Sequence, residues 1–125
     1  GLLHFYPGMS PEPVRRFAEG LRGLVIAGTG IGQVSKDLVR GLKELTSQGM
    51  PVVMTTQCLE GRVNLNVYDT GRGLLSAGVV PGEDMLPETA LVKLMWVLGR
   101  TDDKDKVREM MLADVRGEIS ERREL

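Results

Sequence analysis

Residues Pro51-Val52-Val53-Met54-Thr55-Thr56-Gln57-Cys58 limit the possible folds of this chain more than any other segment. A β-branched apolar run without polar alternation reads as a strand buried on both faces, which places it inside a parallel sheet covered by helices on two sides. The run empties at once into a long polar loop, Leu59 to Arg72. Such a loop leaves from the carboxyl end of its strand, where α/β proteins hold ligands in a crevice. Thr55, Thr56, Gln57, Asn64, Asn66, Tyr68 and Asp69 can gather there, and as residue types they suit a neutral amide or amino-acid ligand better than a phosphate. Ordinary β-propensity also accounts for a strand that ends in Thr-Thr, without any nucleophile.

Strand-like and helix-like patterns alternate along the chain. A strand over Leu2 to Tyr6 turns at Pro7-Gly8, and Pro11-Glu12-Pro13 opens a helix through Leu21, since proline is tolerated in a first turn. Leu24 to Ala27 is a second strand. Ser35 is the N-cap of a helix from Lys36 to Gln48, closed by Gly49, with Leu38, Leu42 and Leu45 on one face. After the strand from Val52 to Thr55, a helix over Asp69 to Ala77 leads to a brief strand, Val79-Val80, stopped by Pro81-Gly82. Helices over Pro87 to Leu98 and Asp103 to Val115 follow. Strands separated by helices imply right-handed crossovers. The expected fold class is therefore α/β, a three-layer (αβα) domain with a parallel sheet of about four strands. No repeat or linker divides it, so residues 1–119 are expected to form one domain and 120–125 a charged tail. The strand-like start, with no initiator Met or leader before it, reads as an excerpt from a longer protein.

Sixteen basic and seventeen acidic residues among 125 leave no basic footprint for nucleic acid or an anionic membrane. The lone Cys58 cannot form an internal disulfide, and the seven methionines accompany no apolar run of membrane length. Together these fit a reducing cytosol, so a cytoplasmic protein without membrane contact is expected.

The loop Gly28-Thr29-Gly30-Ile31-Gly32-Gln33 lies between a strand and a helix. It can bring N–H groups to an anion, turn tightly so that helix and strand pack closely, or present Gln33 outward. Its GxGxG spacing is not the dinucleotide GxGxxG, and the next strand ends in Thr55-Thr56-Gln57 where an acid for the ribose would stand. His4 lies in an apolar strand and reads as a core or edge residue. Cys58 has no metal-ligating neighbours in sequence, and no serine has a G-x-S-x-G context. Judged alone, the chain holds no complete catalytic apparatus. The helix Thr89 to Leu98 is apolar nearly all round, which calls for cover on more than one side. Its single charge, Lys93, is expected to pack its stem and pair its head with an acid such as Glu88 or Asp84. The mixed charges from Arg116 to Leu125 read as a solvated, frayed tail.

The order Gly28-Thr29-Gly30, Pro51 to Gln57, Tyr68 with Gly71-Arg72, Ala77-Gly78-Val79-Val80-Pro81, Asp84-Met85 and Leu91-Val92-Lys93-Leu94 resembles the C-terminal domain of the bacterial-type L-asparaginases. The likeness runs from about Leu3 to Ile119. Gly61 to Tyr68 and Glu83 to Glu88 more closely resemble the D-subunit family of the archaeal glutamyl-tRNA(Gln) amidotransferases. Plain asparaginases tend to read Asp-Met-Thr where this chain has Asp84-Met85-Leu86. The resemblance implies an ammonia-generating amidohydrolase subunit that hydrolyses the amide of Gln or Asn. It also implies that the catalytic Thr, Thr, Asp and Lys belong to a preceding, larger domain, so no catalytic residue and no metal ligand is expected in this chain. Its C-terminal domain supports a homodimer and lends side chains to the neighbouring subunit's site. The implied contributor is Gln33, where related enzymes often carry Asn or His; Asn66 and Tyr68, in the loop after the third strand, are candidates beside it, and Tyr68 reads equally well as a packed strand residue whose hydroxyl finds a backbone partner. Ammonia would pass to a partner, the E subunit of the amidotransferase, which converts Glu-tRNA(Gln) to Gln-tRNA(Gln). ATP and magnesium are expected only in that partner, and tRNA contact mainly through it. A free-standing L-asparaginase and a non-catalytic α/β dimerisation or ligand-binding module are the alternatives.

Overall fold

A computed structural model describes residues 1–121 of the chain. Its strands are β1 (Leu2–His4), β2 (Leu24–Gly28), β3 (Val52–Thr56) and β4 (Val80–Pro81). Its helices are α1 (Pro11–Ala18), α2 (Lys36–Ser47), α3 (Asp69–Ser76), α4 (Pro87–Leu98) and α5 (Lys104–Leu112). The four strands pair in parallel in the order β1-β2-β3-β4. Every residue of β2 and β3 is buried, as a central strand with helices on both faces requires.

Side chains alternate across the sheet and divide the core into two halves. Leu24, Ile26, Val52 and Met54 point toward α1, α2 and α3 and meet Val14, Leu38, Leu42 and Leu74. Val25, Val53 and Val80 point the other way, toward Ala90, Leu94 and Val97 of α4 and Val107 and Met111 of α5. Because spatial order equals chain order, crossovers of one hand must all place their helices on one face, and α1, α2 and α3 do share one. The order never reverses, so the sheet has no topological switch point. Any ligand site must therefore be built by loops at its rim rather than by a crevice between diverging crossovers.

Local sequence explains most element ends. Ser35 Oγ accepts from Leu38 N at 3.3 Å to start α2, and the Asp103 carboxylate accepts from Asp105 N and Lys106 N to start α5. Helix α1 stops at Ala18, short of Leu21, where Gly20 takes φ +76° and turns the chain toward β2. The last strand takes in Pro81, which pairs with Met54. A proline is harmless there because β4 is an edge strand whose outward N–H has no partner to lose. His4 lies exposed on the opposite edge. Helix α4 packs on the sheet and against α5, and its remaining face is open among the described residues. Ala90, Leu94 and Val97 are buried, whereas Val92 and Met95 are 65% and 66% exposed.

The C-terminal segment departs from the expected frayed tail. Helix α5 ends at Leu112, because Lys93 Nζ donates to the Ala113 carbonyl and holds the chain out of helix. Lys93 pairs with neither Glu88 nor Asp84. Its partner is Glu118, at 2.6 Å, with side chains only 7% and 12% exposed. Glu118 also accepts from Val115 N and Arg116 N, and the Asp114 carboxylate accepts from Gly117 N. Hydrogen bonds thus continue as far as Ser120, whose N–H donates to the Asp84 carboxylate. Residues 122–125 of the expected charged tail lie outside the described residues.

Burial alone would raise the Glu118 carboxyl, but hydrogen bonds from the Lys93 ammonium and the Arg116 and Val115 amides outweigh it and hold the group well below its ordinary 4.5. A carboxyl depressed on folding stabilises the native state above its unfolded value, and that stability is lost as pH falls toward the folded one. The urea midpoint is thus expected to fall between about pH 5 and about pH 3, and to fall distinctly less in Glu118→Gln. An identical acid dependence in both proteins would remove the pair as its source. The first turn of α3 gives a second expectation, because a Cβ on Gly71 would stand 2.4 Å from the Leu65 carbonyl oxygen. Gly71→Ala is expected to lower stability by about 1–3 kcal/mol in urea denaturation.

Candidate functional site

Four parallel strands bring their carboxyl ends to one rim, and the loops after β2, β3 and β4 meet there. They enclose an open groove of about 950 Å³ whose walls include Ile31, Arg62, Asn64, Asn66, Glu83 and Asp84. Asn64 N donates to Ile31 O at 3.0 Å and Val63 N to Glu83 O at 2.9 Å, so the long loop after β3 is stitched to both neighbours.

The glycine loop after β2 closes on itself. Thr29 N donates to Gln33 O at 2.9 Å, and Gln33 N to Thr29 O at 2.8 Å. A Cβ on Gly28 would lie 2.9 Å from the Gln33 backbone, so this position requires glycine for the close return. Thr29, Gly32 and Gln33 use their N–H groups inside the loop, which favours the tight-turn reading over a phosphate cradle. Gln33 sits at the closing bridge and not at the loop tip. Its side chain turns toward α3, where its Oε1 accepts from Thr70 Oγ1 at 2.6 Å, and its Nε2 is buried without a partner among the described residues.

The three expected contributors share the rim but not one wall. Asn66 is exposed and lines the groove; its N–H is held by Asn64 Oδ1 at 3.2 Å. Tyr68 precedes α3 as its N-cap residue, outside any strand, with its side chain 56% exposed beside the groove rather than in it. Gln33 joins the same loop system only through Thr70. The gathering expected of Thr55, Thr56 and Gln57 does not occur. Thr55 is fully buried and donates to Ile26 O at 2.9 Å. Thr56 donates to Gly30 O and accepts from Cys58 N at 3.0 Å. Gln57 Nε2 donates to Phe5 O at 2.6 Å and Ala27 O at 2.9 Å, tying the ends of β1 and β2 to β3. These groups satisfy main-chain carbonyls and build the rim.

The charged residues of the groove wall lie in segments that carry the family resemblance, Gly61 to Tyr68 and Glu83 to Glu88, but nothing in those segments marks them as one cluster. Arg62 Nη2 meets Glu83 Oε2 at 2.8 Å, and both side chains are about two-thirds buried. Glu83 takes φ +59°, the one positive φ outside glycine among the described residues. That conformation turns its carbonyl to Val63 and its carboxylate to Arg62. The neighbouring Asp84 carboxyl is raised by burial but brought below its ordinary value by the Ser120 hydrogen bonds and by Arg62. The rim offers amide donors and acceptors, a fixed guanidinium and carboxylates. It can orient a polar ligand, and its two strand-end threonine hydroxyls are already engaged.

Comparison with known proteins assigns this architecture. Residues 1–111 match the family described as the glutaminase/asparaginase C-terminal domain. The chain is 56% identical to the D subunit of the glutamyl-tRNA(Gln) amidotransferase of Pyrococcus horikoshii, over 95% of this chain and 27% of that protein. It is 53% identical to the corresponding protein of Thermococcus kodakarensis, again over 95% and 27%. Among solved structures, the thermostable L-asparaginase of Thermococcus kodakarensis superposes with a TM-score of 0.87 at 41% identity, over 97% of this chain and 38% of that one. The chain thus spans about a quarter of the length of the curated relatives it matches. A match over residues 1–111, relatives above half identity and a common fold together show that this chain belongs to the glutaminase/asparaginase C-terminal domain family.

Proposed function

We propose that this chain is the C-terminal domain of the amidohydrolase subunit of a tRNA-dependent amidotransferase, which releases ammonia from Gln or Asn to convert Glu-tRNA(Gln) to Gln-tRNA(Gln). One observation carries the choice. Identity to the amidotransferase D subunit of Thermococcus kodakarensis, 53%, exceeds that to the L-asparaginase of the same organism, 41%, over nearly the same stretch of this chain. The second reading, a C-terminal domain of a free-standing L-asparaginase, rests on the backbone likeness to that enzyme.

In the preferred reading the rim closes an amide pocket whose nucleophile stands on a larger domain, and two copies assemble so that each rim serves its neighbour. Asn66 and Tyr68 have the exposure such a role needs, and the uncommitted Nε2 of Gln33 is a donor in reserve. The amidotransferase E subunit takes the ammonia, uses ATP and magnesium, and makes most of the contact with tRNA. The setting is the cytoplasm. In keeping with that, no helix among the described residues is long and apolar enough to cross a membrane.

The 125-residue chain by itself is expected to release no ammonia from asparagine or glutamine. Release that disappears in Thr55→Ala or Thr56→Ala would overturn the reading, since those hydroxyls are committed to main-chain carbonyls. In the longer protein the proposal implies, Gln33→Ala or Tyr68→Phe is expected to slow amide hydrolysis by about tenfold to a hundredfold, the loss of one positioning hydrogen bond of about 1–3 kcal/mol, without unfolding the domain. Wild-type kinetics in both variants would take these residues out of the pocket. Ammonia release stimulated by Glu-tRNA(Gln) and the E subunit separates the amidotransferase from an asparaginase, whose rate would ignore both.

A further inference from the structure

The segment after α5 joins the far helix layer to the groove. Its anchor is Glu118, whose carboxylate meets Lys93 Nζ at 2.6 Å in a nearly closed site beneath α4 and also takes Val115 N and Arg116 N. Two residues on, Ser120 N donates to Asp84 Oδ1 at 3.0 Å, and Ser120 O accepts from Arg62 Nη1 at 2.9 Å. Arg62 in turn holds Glu83, whose carbonyl takes Val63 N. A path therefore runs from a buried lysine on one face of the sheet, through the Glu118 ion pair and the short stretch of backbone from Glu118 to Ser120, to hydrogen bonds on both walls of the groove at its rim.

We propose that residues 113–120 are a clasp, with Lys93 and Glu118 as positioning residues that fix the Arg62 guanidinium and the Glu83 turn across the groove. The physical reason lies in where each contact sits. Ser120 is exposed, and exposed polar contacts hold a segment weakly because ordering the segment opposes them. The buried pair two residues away removes most of that freedom in advance, so the Ser120 contacts form within an already ordered segment. A groove wall built this way answers to events on α4, where Val92, Met95 and Trp96 are exposed, and by linkage a ligand in the groove stabilises the clasp. This inference is independent of which amide, if any, occupies the groove.

Hydrogen exchange of the 125-residue chain tests it. In Glu118→Gln, amides of residues 61–64 and 82–85 are expected to exchange about tenfold faster together with those of 114–120, while β2 and β3 keep wild-type protection. Faster exchange confined to 114–120 would overturn the proposal, since the groove loops would then hold themselves. Should Glu118→Gln loosen the whole molecule, Ser120→Pro deletes the donor to Asp84 without changing Lys93 or Glu118. Faster exchange at 61–64 and 82–85 in that variant supports the clasp, and unchanged exchange there refutes it.

Discussion

Two adjacent strands without a single solvent-facing residue set the terms for everything else here. Their backbones are satisfied only by parallel neighbours, and their side chains only by apolar cover above and below. Three crossovers of one hand fill one face, so the other must be closed by chain that follows the last strand, and α4 and α5 do this. The same parallelism sends every strand's carboxyl end to one rim. Site and core are thus consequences of a single arrangement, and the rim loops carry polar function because the strands beneath them carry none.

The elements legible in sequence are those whose causes are local. Ser35 marks the start of α2, Pro87 opens α4, and the unbroken β3 run announces a central strand, each within a few residues of the feature it explains. Where the reading failed, the cause was a partner distant in sequence. Helix α5 stops where the Ala113 carbonyl meets a lysine twenty residues upstream and the Asp114 turn begins. The turn around Arg116 is closed locally by the Asp114 and Glu118 carboxylates, and Glu118 is in turn held by that same lysine. Charge alternation looks like a solvated end because a single buried pair adds no periodicity.

The rim shows a related ambiguity of residue type. Threonine, glutamine and asparagine at the end of a strand resemble a binding site, yet the same groups are well suited to saturating carbonyls where a sheet stops. Thr55, Thr56 and Gln57 serve the sheet, while Asn66 remains available to solvent. Sequence cannot separate these uses, because the deciding acceptors, Ile26, Gly30, Phe5 and Ala27, lie some 26 to 52 residues away. The Arg62, Glu83 and Asp84 constellation was hidden for the same reason. Family resemblance brought Gln33 to notice, and only coordinates show that its amide is half engaged by Thr70.

Proline at the sheet's last strand has a consequence for assembly. An open sheet invites growth wherever an edge displays alternating donors and acceptors to an incoming strand. At β4 the edge is two residues long, and one of them, Pro81, has no N–H to offer. Strand addition is therefore disfavoured on that side and confined to the short β1 edge, where His4 stands exposed. A second copy that extended this sheet would have to add its strand beside β1.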